Sequence, residues 1–251
     1  MPDLQWLTAR PIAHRGLHDA DRGIIENTPS AVAAALDHGY AIEVDLQLTQ
    51  DGEAVVFHDQ TLDRLTEESG PVVGHTVAQL RAVRYRATSD RIQTLPELLE
   101  QVAGQNTLVL ELKSPWFGGD RLERRVAQVL SSYSGPVAVM SFDPHSIATL
   151  RQIAPDLIRG IVSCSYADPK EWPELSRWER LRLRFLLHFP QTRPHFVSYD
   201  VHDLPALGPW VARALGRPVI VWTVRSQAEA DHAGKWADQI TFEQSVPRDG
   251  Q

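Results

Sequence analysis

The segment AIEVDLQLT at residues 41–49 alternates without exception. Ile42, Val44, Leu46 and Leu48 fall on one face of an extended strand, and Glu43, Asp45, Gln47 and Thr49 on the other. TLVLELK at 107–113 repeats the pattern, with Leu108, Leu110 and Leu112 on one face and Val109, Glu111 and Lys113 opposite. Carboxylates on the covered side of a strand are costly unless positive charge meets them, and a divalent cation is the usual partner. If these strands are neighbours, Glu43, Asp45 and Glu111 form a hard oxygen donor set with Lys113 beside it. Such a set suits Mg²⁺ or Ca²⁺ rather than zinc. The competing account of 41–49 is a solvent-facing strand of an antiparallel sheet, which alternates in the same way.

Two histidines fall near this set. His14 and Arg15 end a short strand, Ile12–His14, and Gly16 then permits a tight turn. Asp51-Gly52, followed directly by AVVF at 54–57, is a strong hairpin signal. A two-residue turn there places His58 across from Asp45 on the same side of the pair, within reach of general acid–base work. The competing account of His58 is a structural bridge between strand and loop. Histidines, Arg15 and Lys113 around acidic residues and a cation make a site for a phosphate ester. The cations neutralise phosphoryl oxygens while the histidines trade protons with nucleophile and leaving group. Glu26-Asn27-Thr28 opens a helix: Asn27 or Thr28 caps it, and Glu26, outside it, has some other task.

Short β-branched runs alternate with helical stretches along the chain. Strand candidates are Ile12–His14, 41–49, 54–57, Thr107–Lys113, Val137–Phe142, Arg159–Ser163, Phe196–Ser198, Val219–Val224 and Gln239–Thr241. Helices are expected at Pro29–His38, Asp120–Ser132, His145–Ile153, Glu174–Leu187, Pro205–Leu215 and Gln227–Trp236. The run 54–57 follows its neighbour through a tight turn and is antiparallel. The other eight, with helical crossovers, predict an α/β protein of the (β/α)8 TIM-barrel class. The first β–α turn carries no G-x-G-x-x-G, which argues against a doubly wound sheet. The long interval between the second and third barrel strands implies a small insertion. Residues 1–251 are thus expected to form a single domain, in which about 50–106 carry an inserted lobe with the hairpin and short helices, at the barrel end where active sites sit.

Composition limits the alternatives. The 251 residues include 32 acidic and 25 basic side chains, a net charge of −7 that argues against a nucleic-acid binder. A 43% apolar content with 7 Trp excludes intrinsic disorder. The one cysteine, Cys164, excludes an internal disulfide or a cysteine-based zinc knuckle and reads as a buried structural thiol. No run approaches the roughly 18 apolar residues of a membrane span, and the first residues lack the order of a signal peptide. The expected protein is cytoplasmic and acts on a small molecule.

Together these residues resemble the glycerophosphodiester phosphodiesterase family. The matching pieces are AHRG at 13–16, ENT at 26–28, E-x-D at 43–45, T-x-DG at 49–52, VVFHD at 55–59 and LELK at 110–113. SF at 141–142 and VWTV at 221–224 match more loosely. The resemblance implies a TIM barrel that hydrolyses a glycerophosphodiester to glycerol 3-phosphate and an alcohol with Mg²⁺ or Ca²⁺. It implies Glu43, Asp45 and Glu111 as metal ligands, His14 and His58 as the acid/base pair, and Arg15 and Lys113 on the phosphate. Glu26 would support the site through a substrate hydroxyl or Arg15. The chain departs from the family pattern at Arg225, often Asn, and at Phe242-Glu243 after Thr241, often Thr-Asp. Both places are expected at the barrel mouth outside the catalytic set, with Arg225 either beside the leaving alcohol or paired with a surface carboxylate.

Rival readings remain. A lysophospholipase D-like or phospholipase D-like barrel acting on lipid would use an apolar groove, for which Trp116, Phe117 and Trp222 are candidates. A silent barrel that only binds a phospho-ligand would not need two histidines. Residues 171–189 carry tryptophans and arginines. The favoured account is a barrel helix packing Trp178, Leu181 and Phe185 on the sheet. The other is a weak membrane-surface or partner contact.

Overall fold

The computed structural model describes residues 2–116 and 118–243. Its elements run α1 (Gln5–Thr8), β1 (Ile12–Ala13), α2 (Pro29–Asp37), β2 (Ala41–Leu48), β3 (Ala54–Val56), α3 (Val77–Ala82), α4 (Leu95–Val102), β4 (Leu108–Leu112) and α5 (Arg121–Leu130). They continue through β5 (Val137–Ser141), α6 (Pro144–Ile153), β6 (Ile158–Ser163), α7 (Arg177–Arg184), α8 (Phe189–Thr192), β7 (Phe196–Asp200), α9 (Leu207–Ala214), β8 (Val219–Val224), α10 (Gln227–Ala233) and β9 (Gln239–Phe242).

Eight parallel strands close a barrel in the order β1-β2-β4-β5-β6-β7-β8-β9, and β9 returns to β1. This is the expected (β/α)8 architecture. Side-chain alternation divides the core in two. Ile42, Val44 and Leu46 of β2 pack outward with helix residues such as Val32, Leu98 and Leu122. Inside the barrel Ala41, Val109, Met140, Val162, Phe196 and Ile220 pack together with Leu4 and Leu7 from the α1 segment. Gly160 makes room for the Phe196 ring there: a Cβ on it would lie 2.3 Å from a ring carbon.

Thr28 caps α2, accepting from the Ala31 amide, and Pro29 opens it. Asn27 does something else, described below. After β2 the chain forms the antiparallel β3, α3 and α4, under which Val55, Phe57, Leu62, Leu80 and Tyr85 make a separate apolar cluster.

The hairpin register differs from expectation. Leu46 pairs with Val56 and Leu48 with Ala54, and the Thr49 amide bonds Glu53. The loop is therefore three residues, Gln50–Gly52, with Gly52 at φ 88°. Asp45 faces Phe57, whose amide donates to the Asp45 carbonyl, and His58 lies beyond the end of β3. A glycine in the left-handed region lengthens the two-residue turn by one.

Helix α7 departs from the favoured reading. Trp178, Leu181 and Phe185 do not pack on the sheet; they are 69%, 38% and 39% exposed. Leu183 and Leu186 are the buried residues instead. An amphipathic period reports that a helix has an apolar face, not which surface covers it. Among the described residues no helix is long and apolar enough to cross a membrane.

Candidate active site

The acidic cluster forms because β2 and β4 are in register. Asp45 lies opposite Glu111 and Glu43 opposite Val109, so the carboxylates enter the lumen at adjacent levels. One oxygen from each of Glu43, Asp45 and Glu111 lies within 4.8 Å of the others, and all three residues are buried. The turn after β1 presses against them. Arg15, at φ 56°, directs its amide to the Glu43 carboxylate at 2.8 Å. Gly16 follows at φ 76°, where a Cβ would lie 2.8 Å from the Ala31 backbone. Asn27, at φ 58°, donates its amide NH₂ to the Asp45 carboxylate at 2.8 Å and accepts from the Asp45 backbone at 3.1 Å.

Lys113, just past β4, sits 2.9 Å from Asp45 and 2.5 Å from Glu111. Burial would lower its pKa, but these two carboxylates outweigh burial and raise it. Burial would likewise raise Asp45, but Lys113, His58 and Arg15 hold it far below the usual carboxylate range. Glu43 is the member left uncompensated. Burial, then Asp45 and Glu111, push its pKa well up, and its second oxygen is buried with no hydrogen-bond partner. An orphaned carboxylate oxygen within an all-oxygen triad fits a hard divalent cation.

Both histidines are bonded at Nδ1 to a carboxylate, and each carboxylate is bonded to an arginine. His14 Nδ1 lies 2.5 Å from Glu243, which accepts from Arg225 Nε at 2.6 Å. His58 Nδ1 lies 2.8 Å from Asp59, which Arg64 grips at 2.5 and 3.0 Å. An ionised carboxylate only accepts, so the Nδ1 protons belong to these bonds and Nε2 is the nitrogen each ring has left for exchanging protons with a ligand. His14 Nε2 is 3.9 Å from Glu43 and faces the triad. Burial is the largest influence on His14 and lowers its pKa, against the pull of Glu243. Burial would raise Glu243, but His14 and Arg225 bring it down to about 2.

Glu26 holds Arg15 at 2.7 Å and also takes two bonds from Arg64. Arg64 therefore joins the support of Arg15 to that of His58. Trp222, on β8, packs edge-on against Phe142 at 5.5 Å, and Phe142 leads to Trp172, Tyr166 and Trp116. Phe117 lies outside the described residues. Cys164 is buried, and burial pushes its thiol up to about 12, so it carries no thiolate.

His14, His58, Arg15, Glu26, Glu43, Asp45, Glu111 and Lys113 are thus drawn into one connected network. Arg225 and Glu243, which the sequence reading set apart from the catalytic set, are tied to it through His14. The partner of the Arg225 guanidinium is not a surface carboxylate but the half-buried Glu243. Four supporting residues were not legible as such: Asn27 passed as a capping candidate, Asp59 as part of VVFHD, Glu243 only as a departure from the family pattern, and Arg64 carries no local signal.

Residues 14–241 match the model of the glycerophosphoryl diester phosphodiesterase family. A glycerophosphodiester phosphodiesterase of Caldanaerobacter subterraneus subsp. tengcongensis is 31% identical over 183 residues, covering 68% of this chain and 73% of that protein. Human glycerophosphodiester phosphodiesterase 1 is 32% identical over 162 residues, covering 60% of this chain and 47% of that protein. The match thus spans about half of the human protein. Among solved structures, an Oleispira antarctica phosphodiesterase in complex with the product sn-glycerol-3-phosphate superposes with TM-score 0.78 at 21% identity, covering 94% of each chain. A Thermotoga maritima glycerophosphodiester phosphodiesterase gives TM-score 0.70 at 21% identity, covering 92% of each.

Proposed function

Because the chain belongs to the glycerophosphoryl diester phosphodiesterase family, we infer that it hydrolyses glycerophosphodiesters to sn-glycerol 3-phosphate and an alcohol. The observation that carries the mechanism is the oxygen triad faced by His14 Nε2. Glu43, Asp45 and Glu111 would hold a divalent cation, Mg²⁺ or Ca²⁺. When bound, that cation acts as a Lewis acid toward the phosphoryl oxygens.

The chain's own groups do the rest. Arg15, anchored by Glu26, binds and orients the phosphate, and Lys113 adds a second positive charge on its other flank. His14, kept neutral by burial, accepts the proton of the attacking hydroxyl at Nε2. His58, carrying a proton at Nε2 as well as the one its Nδ1 shares with Asp59, gives the Nε2 proton to the alkoxide as the P–O bond to it breaks. Glu243 and Asp59 are positioning residues that hold the two rings in one tautomer. Trp222 walls the substrate side of the mouth.

The test is a chelator-treated preparation given Mg²⁺ or Ca²⁺ with a panel of glycerophosphodiesters and lysolipids. Glycerol 3-phosphate release from the diesters, dependent on added cation, is expected. Release undiminished by chelation removes the cation from the scheme, and turnover of lysolipids alone moves the enzyme to the lipid-acting reading.

Glu243→Gln is expected to lower kcat about 10- to 100-fold, the usual cost of an outer partner to a functional histidine. KM should barely move. Glu243 raises the His14 pKa, so its loss lets that pKa fall and moves the acid limb of the kcat profile to lower pH. Arg225→Asn should lower kcat more weakly, without that shift of the acid limb, and equally on glycerophosphocholine and glycerophosphoinositol. A change in their relative rates would instead put Arg225 on the headgroup.

A further inference from the structure

Nine large apolar side chains stand exposed among the described residues, and eight of them belong to two segments, α7 with its end and α9 with its end. Trp178, Phe185 and Leu187 project from the first, Leu207, Trp210 and Leu215 from the second, with exposures of 39–69%. The segments adjoin, since a Cβ on Gly208 at the start of α9 would lie 3.1 Å from Leu186 and 3.3 Å from the Arg184 carbonyl. The result is one apolar face rather than scattered residues, which marks a contact surface.

The charge around it is opposite to that of the molecule. The whole chain carries −7, yet Arg177, Arg182 and Arg184 are exposed on α7 and Arg180 is partly so. None of the four pairs with a carboxylate among the described residues, in contrast to Arg124, Arg213 and Arg225. The Arg184 guanidinium lies 5.6 Å from the Phe185 ring.

We propose that the α7–α9 face docks the protein on an anionic membrane surface. Exposed tryptophans flanked by unpaired arginines suit the headgroup boundary, where indole rings insert and guanidinium groups meet lipid phosphates. A two-fold contact with a second copy would set the same arginines against themselves. Beneath α7 the face is continuous with the site. Leu175 and Leu183 share a cluster with Tyr166, onto which Trp172, Phe142 and Trp222 pack. The docked face therefore borders the rim where a lipid-derived diester enters.

Flotation of the purified full chain with vesicles tests this. Phosphatidylcholine vesicles containing phosphatidylglycerol should carry the protein upward, and phosphatidylcholine alone should not. Substituting Arg177, Arg182 and Arg184 by Gln should weaken partition by on the order of 10²-fold at low salt, and Trp178→Ser with Trp210→Ser should abolish it. Both variants should hydrolyse soluble substrate at the parent rate, which shows that they are folded. Failure to float with either vesicle, flotation untouched by the substitutions, or a dimer in sedimentation velocity that Trp210→Ser dissolves would each overturn the proposal.

Discussion

His58→Ala is expected to lower kcat on glycerophosphodiesters by about 10²–10⁴-fold, the range for loss of a general acid or base. KM should change little, because the phosphate contacts proposed above are Arg15, Lys113 and the cation rather than His58. The defect should depend on the leaving group. An alkoxide departs poorly without a proton, whereas nitrophenolate needs none. The nitrophenyl ester of glycerol phosphate should therefore recover most of the lost rate in His58→Ala. It should recover little in His14→Ala, where activation of the nucleophile is lost instead. Equal losses on both substrates would reverse or dissolve the assignment, and a loss under about threefold on the natural diester would take His58 out of the chemistry. Asp59→Asn should fall between, since the ring keeps a partner at Nδ1 but loses the charge of its carboxylate.

The second large effect joins activity to stability. Glu43→Gln should abolish detectable turnover while raising the Tm of the cation-free protein by about 2–4 °C, the response of a domain this size to about 1 kcal/mol. The sign follows from linkage. Burial and two neighbouring carboxylates raise the folded-state pKa of Glu43 above its ordinary 4.5. Its ionisation therefore costs stability increasingly as pH rises from 4.5 toward the folded-state value, and fully above that value. Asp45 and Glu243, both lowered, keep their stabilising contributions throughout this interval and lose them only in stronger acid. Glu43 thus contributes a loss of stability between pH 5 and pH 8, set against the opposite slope of His14, His18, His188 and His195, whose lowered pKa values cost stability as pH falls. Glu43→Gln leaves no carboxyl to ionise at this position and removes that one contribution, so the variant's stability should rise more steeply from pH 5 to pH 8 than the parent's. Saturating Mg²⁺ or Ca²⁺, at about 100 times Kd, should add about 2.7 kcal/mol to the parent alone. Thermal scans at the two pH values, with and without cation, read all of this. Parallel pH dependences in parent and variant would show that Glu43 contributes nothing to them.

How much of this could be seen in the sequence depends on distance along the chain. The triad was visible because strand alternation has a period of two and parallel neighbours align by level, so Glu43, Asp45 and Glu111 had to converge once β2 and β4 were adjacent. The hairpin was visible but its register slipped by one, because Asp-Gly does not reveal that Gly52 alone takes the left-handed position. His58 still reaches the site by leaving β3 rather than by pairing within it. Asp59 directly follows the histidine it supports, but the distant supports were beyond reach. Glu243 is 229 positions from His14 and Arg64 is 38 from Glu26, and no local pattern specifies such pairs. On α7 the apolar stripe was plain, but whether sheet or something external covers it is a property of tertiary placement.

The seam between β1 and β9 gives this protein a timetable. The His14 amide donates to the Phe242 carbonyl and its ring Nδ1 to Glu243, so the first strand of the barrel is finished by the last. Synthesis at about 5–20 residues per second delivers the oxygen triad and His58 well before that strand exists. Contacts of such sequence separation are also the slowest to form. A nascent chain can therefore gather its acidic cluster early and remain unable to cut a phosphodiester until the ring shuts. Hydrolytic competence becomes a gauge of closure, and loosening of this one seam silences the enzyme while most of the barrel stands.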